Sequence, residues 1–264
     1  MWRSCYTYII ACDINNVMLN PENPTRNLLL ISSSNVYGQG YLDHVEDEIS
    51  DLLGDIPRVV FIPFALFDRD AYALKAAERF ARMGFALDSV HVSVAPHLLI
   101  ERAEAIFIGG GNTFRLLKAL YDHDLLRLIR RRVDEGMRFI GSSAGSIVAC
   151  PTLKTTKDMP VVQPSSFDAL NLVNFQISPH YLDPDPASTH MGETQEERIM
   201  QYLEENDLPV VGLREGTLLR IRQGSIVLRG NRSARIFRRG NKPVEALPGT
   251  DLCETHRSAT GTVQ

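Results

Sequence analysis

Residues 139–150 read Phe-Ile-Gly-Ser-Ser-Ala-Gly-Ser-Ile-Val-Ala-Cys, and this stretch indicates both a fold and a chemistry. Two apolar residues end a predicted strand, residues 141–145 match the pattern G-x-S-x-G, and an apolar helix is predicted to follow. In that strand–turn–helix context Ser143 would be lifted out of a sheet as a nucleophile. Small residues are needed beside it because the turn is tight and a neighbouring Cβ would collide. The pattern is also common by chance, so a Gly/Ser-rich connection without chemistry is the alternative.

Apolar runs alternate with helical patterns through the first 150 residues. The runs are apolar throughout, which is typical of parallel strands that are buried on both faces. We therefore predict an α/β fold with a mostly parallel sheet and helices on both faces. Ligands of such sheets bind at the carboxyl ends of the strands, where Ser32, Gly109 and Ser143 are expected. The predicted strands are 28–31, 58–63, 87–92, 105–108 and 139–140, and helices are predicted at 42–53, 71–83, 98–101, 116–120 and 125–133.

The helix predicted over 71–83 has Leu74, Ala77 and Ala81 on one face, at the spacing of helical turns. Small and apolar residues at this spacing are typical of a helix face that packs on a sheet. We therefore expect this helix to present that face to the protein interior.

The composition of the sequence changes after Cys150. Residues 151–190 are rich in Pro, Asp, Thr and Ser, and so long a loop is usually functional or mobile. A capping box at Thr194 predicts a new helix, and a short strand is expected over 208–212. The segments 217–222, 225–229 and 233–238 are predicted to form a small C-terminal antiparallel meander. We predict one domain over 28–247, an extension outside the fold at 1–27 and a disordered tail at 248–264.

Composition is that of an ordinary globular protein, with 264 residues, 44% hydrophobic residues and a net charge of −4. This charge suggests no nucleic acid partner. No apolar run is long enough to cross a membrane, and the widely spaced cysteines suggest neither disulfides nor a zinc site. We expect a cytoplasmic protein without metal or cofactor, with a signal or transit peptide in residues 1–27 as the alternative.

A serine nucleophile requires a base, and the base requires a group that fixes its tautomer. Of the seven histidines we favour His180, which follows Pro179 in the loop region, although a histidine beside proline is more often structural. Two acids compete for the third role. Asp158 could instead be a turn residue, and Glu215 could instead be a partner of Arg214. Spacing does not choose between them, because triads occur in several chain orders.

Stabilisation of an oxyanion requires preorganised N–H donors. The amide of Ala144, next to Ser143, is one candidate. The second is the amide of Gly111, which ends a triple-glycine loop and borders a helix N-terminus. A phosphate-binding loop is the alternative, but the sequence lacks both G-x-x-x-x-G-K-[ST] and G-x-G-x-x-G.

These motifs together resemble the peptidase E family of α-aspartyl dipeptidases, from about residue 28 to residue 238. The resemblance rests on five segments in the family's order, namely GGGNTF at 109–114, GSSAG at 141–145, TKDMP at 156–160, PH at 179–180 and GET at 192–194. It implies a class I glutamine-amidotransferase-like fold with a serine in place of the usual cysteine. It also implies hydrolysis of dipeptides with an N-terminal aspartate, without a metal.

Carried over by position, the resemblance makes Ser143 the nucleophile and His180 the base, with Gly111 and Ala144 as the oxyanion hole. Asp158 and Glu215 both match acids proposed for the third role. The residues expected to bind substrate are Asn112, Thr113, Gln195 and Arg198.

One departure from the family concerns the substrate. The family motif usually reads Gly-Glu-Thr-Arg, whereas this chain has Gln195 in place of that arginine. Arg198, one helical turn further on, is the nearest replacement. Glutamine carries no charge and cannot form the paired hydrogen bonds that a guanidinium forms with a carboxylate. The resemblance therefore implies serine hydrolysis more directly than a strict preference for aspartate.

The sequence leaves two alternatives to an Asp-X dipeptidase. One is a serine hydrolase of the same fold that acts on another acidic peptide or an ester. The other is a catalytically silent binding protein. A small peptide is the expected partner, and a homodimer is compatible with a domain of this type although no stretch marks an interface.

Overall fold

A computed structural model describes residues 23–189 and 191–253. The predicted extension at 1–27 therefore lies mostly outside the described residues, as does the predicted tail from residue 254 onward. Within the described part of the chain, no helix combines the length and the apolar character that crossing a bilayer requires.

The larger of two sheets has seven strands in the order β3-β2-β4-β5-β1-β8-β9. Its first five strands in the chain run parallel, and the hairpin of β8 and β9 is added antiparallel beside β1. The strands are β1 (Leu28–Ile31), β2 (Arg58–Ile62), β3 (Ala86–Ser89), β4 (Ala105–Ile108), β5 (Arg138–Ser142), β8 (Thr217–Arg222) and β9 (Ser225–Gly230). The mostly parallel sheet predicted from the sequence is thus confirmed.

Helices cover both faces of this sheet, which is why its central strands are apolar on both sides. All four residues of β1 and of β4 are buried. On one face lie α1 (Glu46–Leu53) and α2 (Arg69–Arg82), and on the other lie α3 (Pro96–Glu101), α4 (Thr113–Asp122), α5 (Leu126–Asp134) and α6 (Ala144–Val148). Each large side chain so buried contributes about 1.5–3 kcal/mol, so the two layers hold the strand ends in fixed positions.

Helix α2 does not bury the face that the sequence predicted. Leu74 is 62% exposed, whereas Tyr72 and Phe80 are buried. Arg79 is also on the buried face, because its guanidinium donates to the Tyr41 carbonyl oxygen over 2.9 Å and pairs with Glu46 over 2.7 Å. Because this charged residue lies on the inner face, the spacing of apolar residues alone does not identify the buried face of the helix.

The second sheet has four strands in the order β11-β10-β7-β6. They are β6 (Gln176–Ser178), β7 (Val210–Leu213), β10 (Ala234–Phe237) and β11 (Val244–Ala246), and α7 (Gln195–Glu205) lies between β6 and β7 in the chain. Strands β6 and β7 run parallel, so their carboxyl ends are adjacent. This neighbourhood positions part of the candidate active site.

The predicted C-terminal meander is corrected, because its three segments belong to different sheets. The first two form the β8–β9 hairpin of the large sheet, while β10 pairs with β7 in the small sheet. The chain leaves the hairpin at Gly230, whose φ is 109° and where a Cβ would lie 2.1 Å from the Gly216 carbonyl oxygen. No side chain fits at this exit, so the strand ends there.

The chain continues in a defined path beyond the predicted boundary at 248. Leu252 is fully buried and its amide donates to the Ile226 carbonyl oxygen over 2.8 Å, while the Gly249 amide donates to Leu228 over 2.7 Å. The expectation of disorder is therefore wrong for residues 248–253. These residues cover β9, the edge strand of the large sheet, which a polar composition alone does not reveal.

Candidate active site

Ser143 lies in a strained turn between β5 and α6. Its φ and ψ are 52° and −110°, a conformation that non-glycine residues rarely adopt. The flanking glycines are required for steric reasons, since a Cβ on Gly145 would lie 2.0 Å from the Ile108 carbonyl oxygen and one on Gly141 would lie 2.6 Å from the Gly145 carbonyl oxygen. The turn is the sharp strand-to-helix elbow that the sequence predicted, and such strain is typical of functional sites.

His180 follows β6 and reaches across to Ser143 from the small sheet. Its Nε2 lies 2.9 Å from the Oγ of Ser143. His180 also has a positive φ, of 51°. Its amide donates to the hydroxyl of Ser32 over 3.0 Å, and that hydroxyl donates to the Leu213 carbonyl oxygen over 2.8 Å. Ser32, at the end of β1, therefore links the large sheet to the histidine.

The carbonyl oxygen of His180 is held as firmly as its amide. The Lys157 ammonium donates to it over 3.1 Å, and the side-chain amide of Gln195 donates over 3.2 Å. Lys157 also donates to the Pro179 carbonyl oxygen over 2.6 Å and to the Gln195 side-chain oxygen over 3.2 Å. Lys157 as a whole is exposed, but desolvation of its ammonium among these acceptors lowers its pKa to about 8. Lys157 and Gln195 thus fix the peptide that carries His180.

The two candidate acids occupy different places. Glu215, just after β7, has its Oε1 2.9 Å from the Nδ1 of His180. The Oδ2 of Asp158 instead accepts from the Thr113 amide over 2.7 Å and from the Thr113 hydroxyl over 2.6 Å. Asp158 thus caps the N-terminus of α4 and stabilises its orphan donors.

The contact with Glu215 also fixes the tautomer of His180. A carboxylate only accepts hydrogen bonds, so Nδ1 carries the proton and Nε2 is free to accept from Ser143. Arg214 is not the partner of Glu215, because its guanidinium pairs with Asp183 over 2.5 Å and with Glu245 over 2.9 Å. The carboxylate of Glu215 is therefore available to the histidine.

The triple-glycine loop passes directly beside Ser143. A Cβ on Gly110 would lie 3.0 Å from the Cβ of Ser143, and a Cβ on Gly111, whose φ is 135°, would lie 2.7 Å from the Ala65 carbonyl oxygen. Only glycine permits this approach. Within the described residues, the amides of Gly111 and Ala144 have no protein acceptor. They are open donors of the kind that an oxyanion hole requires.

The four residues expected to bind substrate have other contacts. Asn112 caps α4 through the Arg115 amide and donates to the Met159 carbonyl oxygen over 2.8 Å. Thr113 is fully buried. Gln195 holds the His180 peptide, and Arg198 is 3.7 Å from the carboxylate of Glu193. None of the four is among the residues that line the cleft at Ser143.

The cleft itself has a volume of about 750 Å³, which is within the range of small-molecule sites. Besides the predicted Gly111, Ser143, Asp158 and His180, the cleft is lined by Gly110 of the triple-glycine loop and by Ser33, Ser34 and Asn35 of the loop after β1, which the sequence placed at the ligand-binding edge. The rest of its wall comes from residues that the sequence did not single out for a ligand: Tyr41, Leu66, Phe67, Asp68, Ala71, Tyr72 and Lys75. These residues follow β1 and β2 or belong to α2. Their position at strand ends was the available signal, since ligands of parallel sheets bind there. In the same described part of the chain, no three His, Cys, Asp or Glu side chains cluster as a metal site requires.

Comparison with known proteins identifies the family of the chain. The model of peptidase family S51 matches residues 28–229. Peptidase E of Streptomyces coelicolor is 49% identical over 228 residues, which cover 86% of this chain and 94% of that protein. The probable alpha-aspartyl dipeptidase of Drosophila melanogaster is 44% identical over 230 residues, which cover 86% of this chain and 96% of that protein.

Two solved structures share the fold at low sequence identity. A putative peptidase E protein from Listeria monocytogenes has a TM-score of 0.60 and 22% identity, and the match covers 78% of this chain and 99% of that one. A peptidase from an acI-B1 actinobacterium has a TM-score of 0.64 and 18% identity, and the match covers 87% of this chain and 98% of that one. The chain therefore shares its fold with both of these structures.

Proposed function

The chain belongs to peptidase family S51, and from this membership and the geometry of the cleft we propose that it is a serine dipeptidase that hydrolyses Asp-X dipeptides. The observation that carries the proposal is the chain of contacts from Ser143 through His180 to Glu215, each of 2.9 Å. Such a chain supplies a nucleophile, a base and an orienting acid. The relatives named as peptidase E and as a probable alpha-aspartyl dipeptidase support the choice of substrate.

In the proposed first step the Oγ of Ser143 attacks the carbonyl carbon of the peptide bond, and its proton passes to the Nε2 of His180. Glu215 accepts a hydrogen bond from the other ring nitrogen and stabilises the imidazolium that forms. The negative charge that develops on the carbonyl oxygen is stabilised by the amides of Gly111 and Ala144. Loss of one such donor typically costs about 100- to 1000-fold in rate.

In the second half of the reaction His180 gives its proton to the departing amine of residue X. The aspartyl group remains as an ester on Ser143. A water molecule then attacks this ester while His180 takes the water proton, and aspartate leaves as Ser143 regains its hydrogen. No metal or cofactor is needed for these proton transfers to balance.

Asp158 has a different role in this proposal. Its carboxylate is engaged by the backbone and hydroxyl of Thr113, and its contact with α4 fixes the helix that follows the triple-glycine loop. We therefore assign the orienting acid to Glu215 and treat Asp158 as a support for the loop that holds Gly111.

The test compares the wild type with Ser143→Ala on a panel of Asp-Leu, Glu-Leu, Asn-Leu and β-aspartyl-leucine. Hydrolysis of Asp-Leu that is lost in the alanine variant supports the proposal. Equal turnover by both proteins would show that Ser143 is not the nucleophile. Preference for another member of the panel would instead favour the hydrolase with a different acidic substrate, for which the substitution at Gln195 is the specific reason.

The expected homodimer and the cytoplasmic location stay predictions. Sedimentation of the full chain at several concentrations distinguishes a dimer from a monomer, and fractionation of the source cells addresses the location.

A further inference from the structure

The active-site cleft contains one cation that no carboxylate neutralises within the described residues. Lys75, on α2, lines the cleft together with Ser143, His180 and Gly111. Its ammonium lies 4.5 Å from the centre of the Tyr41 ring, and it has no ion pair in the described part of the chain. A cation over an aromatic face is held by the ring, which takes none of its conventional hydrogen bonds. Lys75 is thus positioned and still able to bind an anion.

The carboxylates of the cleft do not compete for this lysine. Asp68 accepts from the Ala71 amide over 3.0 Å as the cap of α2, and Asp158 is bound by Thr113. Each carboxylate is therefore committed to the N-terminus of a helix, where backbone donors stabilise its charge.

Two other cations near His180, Lys157 and Arg198, already have acceptors. The ammonium of Lys157 has three oxygen acceptors, on Pro179, His180 and Gln195. Arg198 faces Glu193 at 3.7 Å and is not part of the cleft wall. Gln195 carries no charge and is hydrogen-bonded to the His180 carbonyl oxygen.

An Asp-X dipeptide carries two carboxylates, one on the aspartate side chain and one at the C-terminus. Placing either in the cleft without a cation would cost free energy, because its hydration is lost. We propose that Lys75 binds a carboxylate of the dipeptide and is a specificity-determining residue of this enzyme, an inference that rests on the proposed function. The two carboxylates share this chemistry, and the substrates chosen below separate them.

The experiment measures kcat and KM of wild type, Lys75→Met and Lys75→Arg on three substrates. Asp-Leu carries both carboxylates, Asn-Leu lacks that of the side chain and Asp-Leu-amide lacks that of the C-terminus. We expect Lys75→Met to lower kcat/KM for Asp-Leu by about 10- to 100-fold, mainly through KM, because a hydrogen bond to a charged group is lost. The loss should shrink to about twofold or less on the one substrate that lacks the bound carboxylate, and Lys75→Arg should recover most of it.

Lys242→Met is the matched control, since it removes the same charge from an exposed residue between β10 and β11. It should leave all three substrates unchanged. An equal loss on all three substrates in Lys75→Met, or no loss on any, would overturn the proposal while leaving serine hydrolysis intact.

A binding measurement keeps this test separate from that of the proposed function. Titration calorimetry of Ser143→Ala and of Ser143→Ala/Lys75→Met with the same three dipeptides needs no turnover. At least tenfold weaker binding of Asp-Leu to the double variant supports the role of Lys75, even if the wild type hydrolyses none of the panel. Equal affinities, or no binding to either protein, would contradict it.

Discussion

The hydroxyl group of Ser32 fixes the backbone of His180, whose amide donates to it over 3.0 Å. Ser32 directly follows β1 of the large sheet and also donates to a carbonyl oxygen of the small sheet. One side chain thus connects the two sheets at the point where the candidate base emerges. The positive φ of His180 is a costly conformation, and it persists because both sides of the residue are held.

Replacing Ser32 by alanine should lower kcat by about tenfold and leave KM nearly unchanged. The substitution leaves the His180 amide without its acceptor, which costs about 1–3 kcal/mol for a buried group. Steady-state kinetics on Asp-Leu and a thermal melt measure the two effects. Ser165→Ala, at an exposed position outside the cleft wall, is the control and should behave as the wild type. A Ser32→Ala protein that is less stable but fully active would show that the link is structural only.

Glu215→Gln should lose far more activity than Asp158→Asn. Glutamine can present its amide to the Nδ1 of His180 and so favour the wrong tautomer, an effect worth up to about 10⁴-fold in kcat in a comparable triad. Asp158→Asn should lower the melting temperature, because the Thr113 amide at the start of α4 loses a charged acceptor. Measurement of kcat and melting temperature on both variants decides the assignment. The reverse order of kcat losses would return Asp158 to the third role.

Lys157 should make the stability of the protein depend on pH above neutrality. Its pKa in the folded protein is lowered to about 8 by burial, below the ordinary 10.5. Between these values the unfolded chain binds more protons than the folded chain, so the stability of the wild type rises with pH in this window. Below about pH 8 the ammonium is charged in both the folded and the unfolded state, so its burial lowers the stability by the same amount at every pH.

The measurement for Lys157 is urea unfolding of wild type and Lys157→Met at several pH values from about 7 to about 10. The difference in unfolding free energy should move in favour of the wild type as pH rises. Lys154→Met, which removes a lysine bonded to Asn206 at an exposed position, serves as the control. If the difference in unfolding free energy does not change with pH, or moves in favour of the variant, the pKa of Lys157 is not lowered in the folded protein.

Gln195→Arg should weaken the enzyme. The Gln195 side-chain oxygen lies 3.2 Å from the Lys157 ammonium, so a guanidinium there would meet a second cation. We expect kcat/KM for Asp-Leu to fall by about tenfold. The double variant Lys157→Gln/Gln195→Arg should recover most of this loss, and a double-mutant cycle gives the coupling between the two positions. Additive effects would mean that the two side chains act independently.

Prediction from the sequence succeeded where the signal was local. The tight turn at Ser143 was predicted from glycines whose steric role operates within a few residues, and the structure has that turn. The capping box at Thr194 is confirmed. The parallel strands were predicted because their burial on both faces leaves them apolar throughout.

Prediction failed where the answer depends on contacts between distant segments. The contact between His180 and Glu215 follows from the pairing of β6 with β7, which places the two residues at neighbouring strand ends. Nothing in the local sequence of either residue reports that pairing. The prediction of which face of α2 is buried was wrong because Arg79 lies on the inner face. Its guanidinium is hydrogen-bonded to the loop before α1 and to α1 itself. The hydrogen bond from Gln195 to the backbone of His180, 15 positions away, likewise has no signal in the local sequence, and substrate contact by Gln195 stays a prediction.

The division of the candidate triad between two sheets has a consequence for how this enzyme fails on heating. Ser143 follows a strand of the large sheet, whereas His180 and Glu215 follow strands of the small one. A slight shift of one sheet against the other would stretch the contact between Ser143 and His180 while each sheet kept its own hydrogen bonds, since local opening requires less free energy than global unfolding. Turnover should therefore cease at temperatures where circular dichroism still shows an intact fold. The catalytic rate would then respond to a rise in temperature before the secondary structure does.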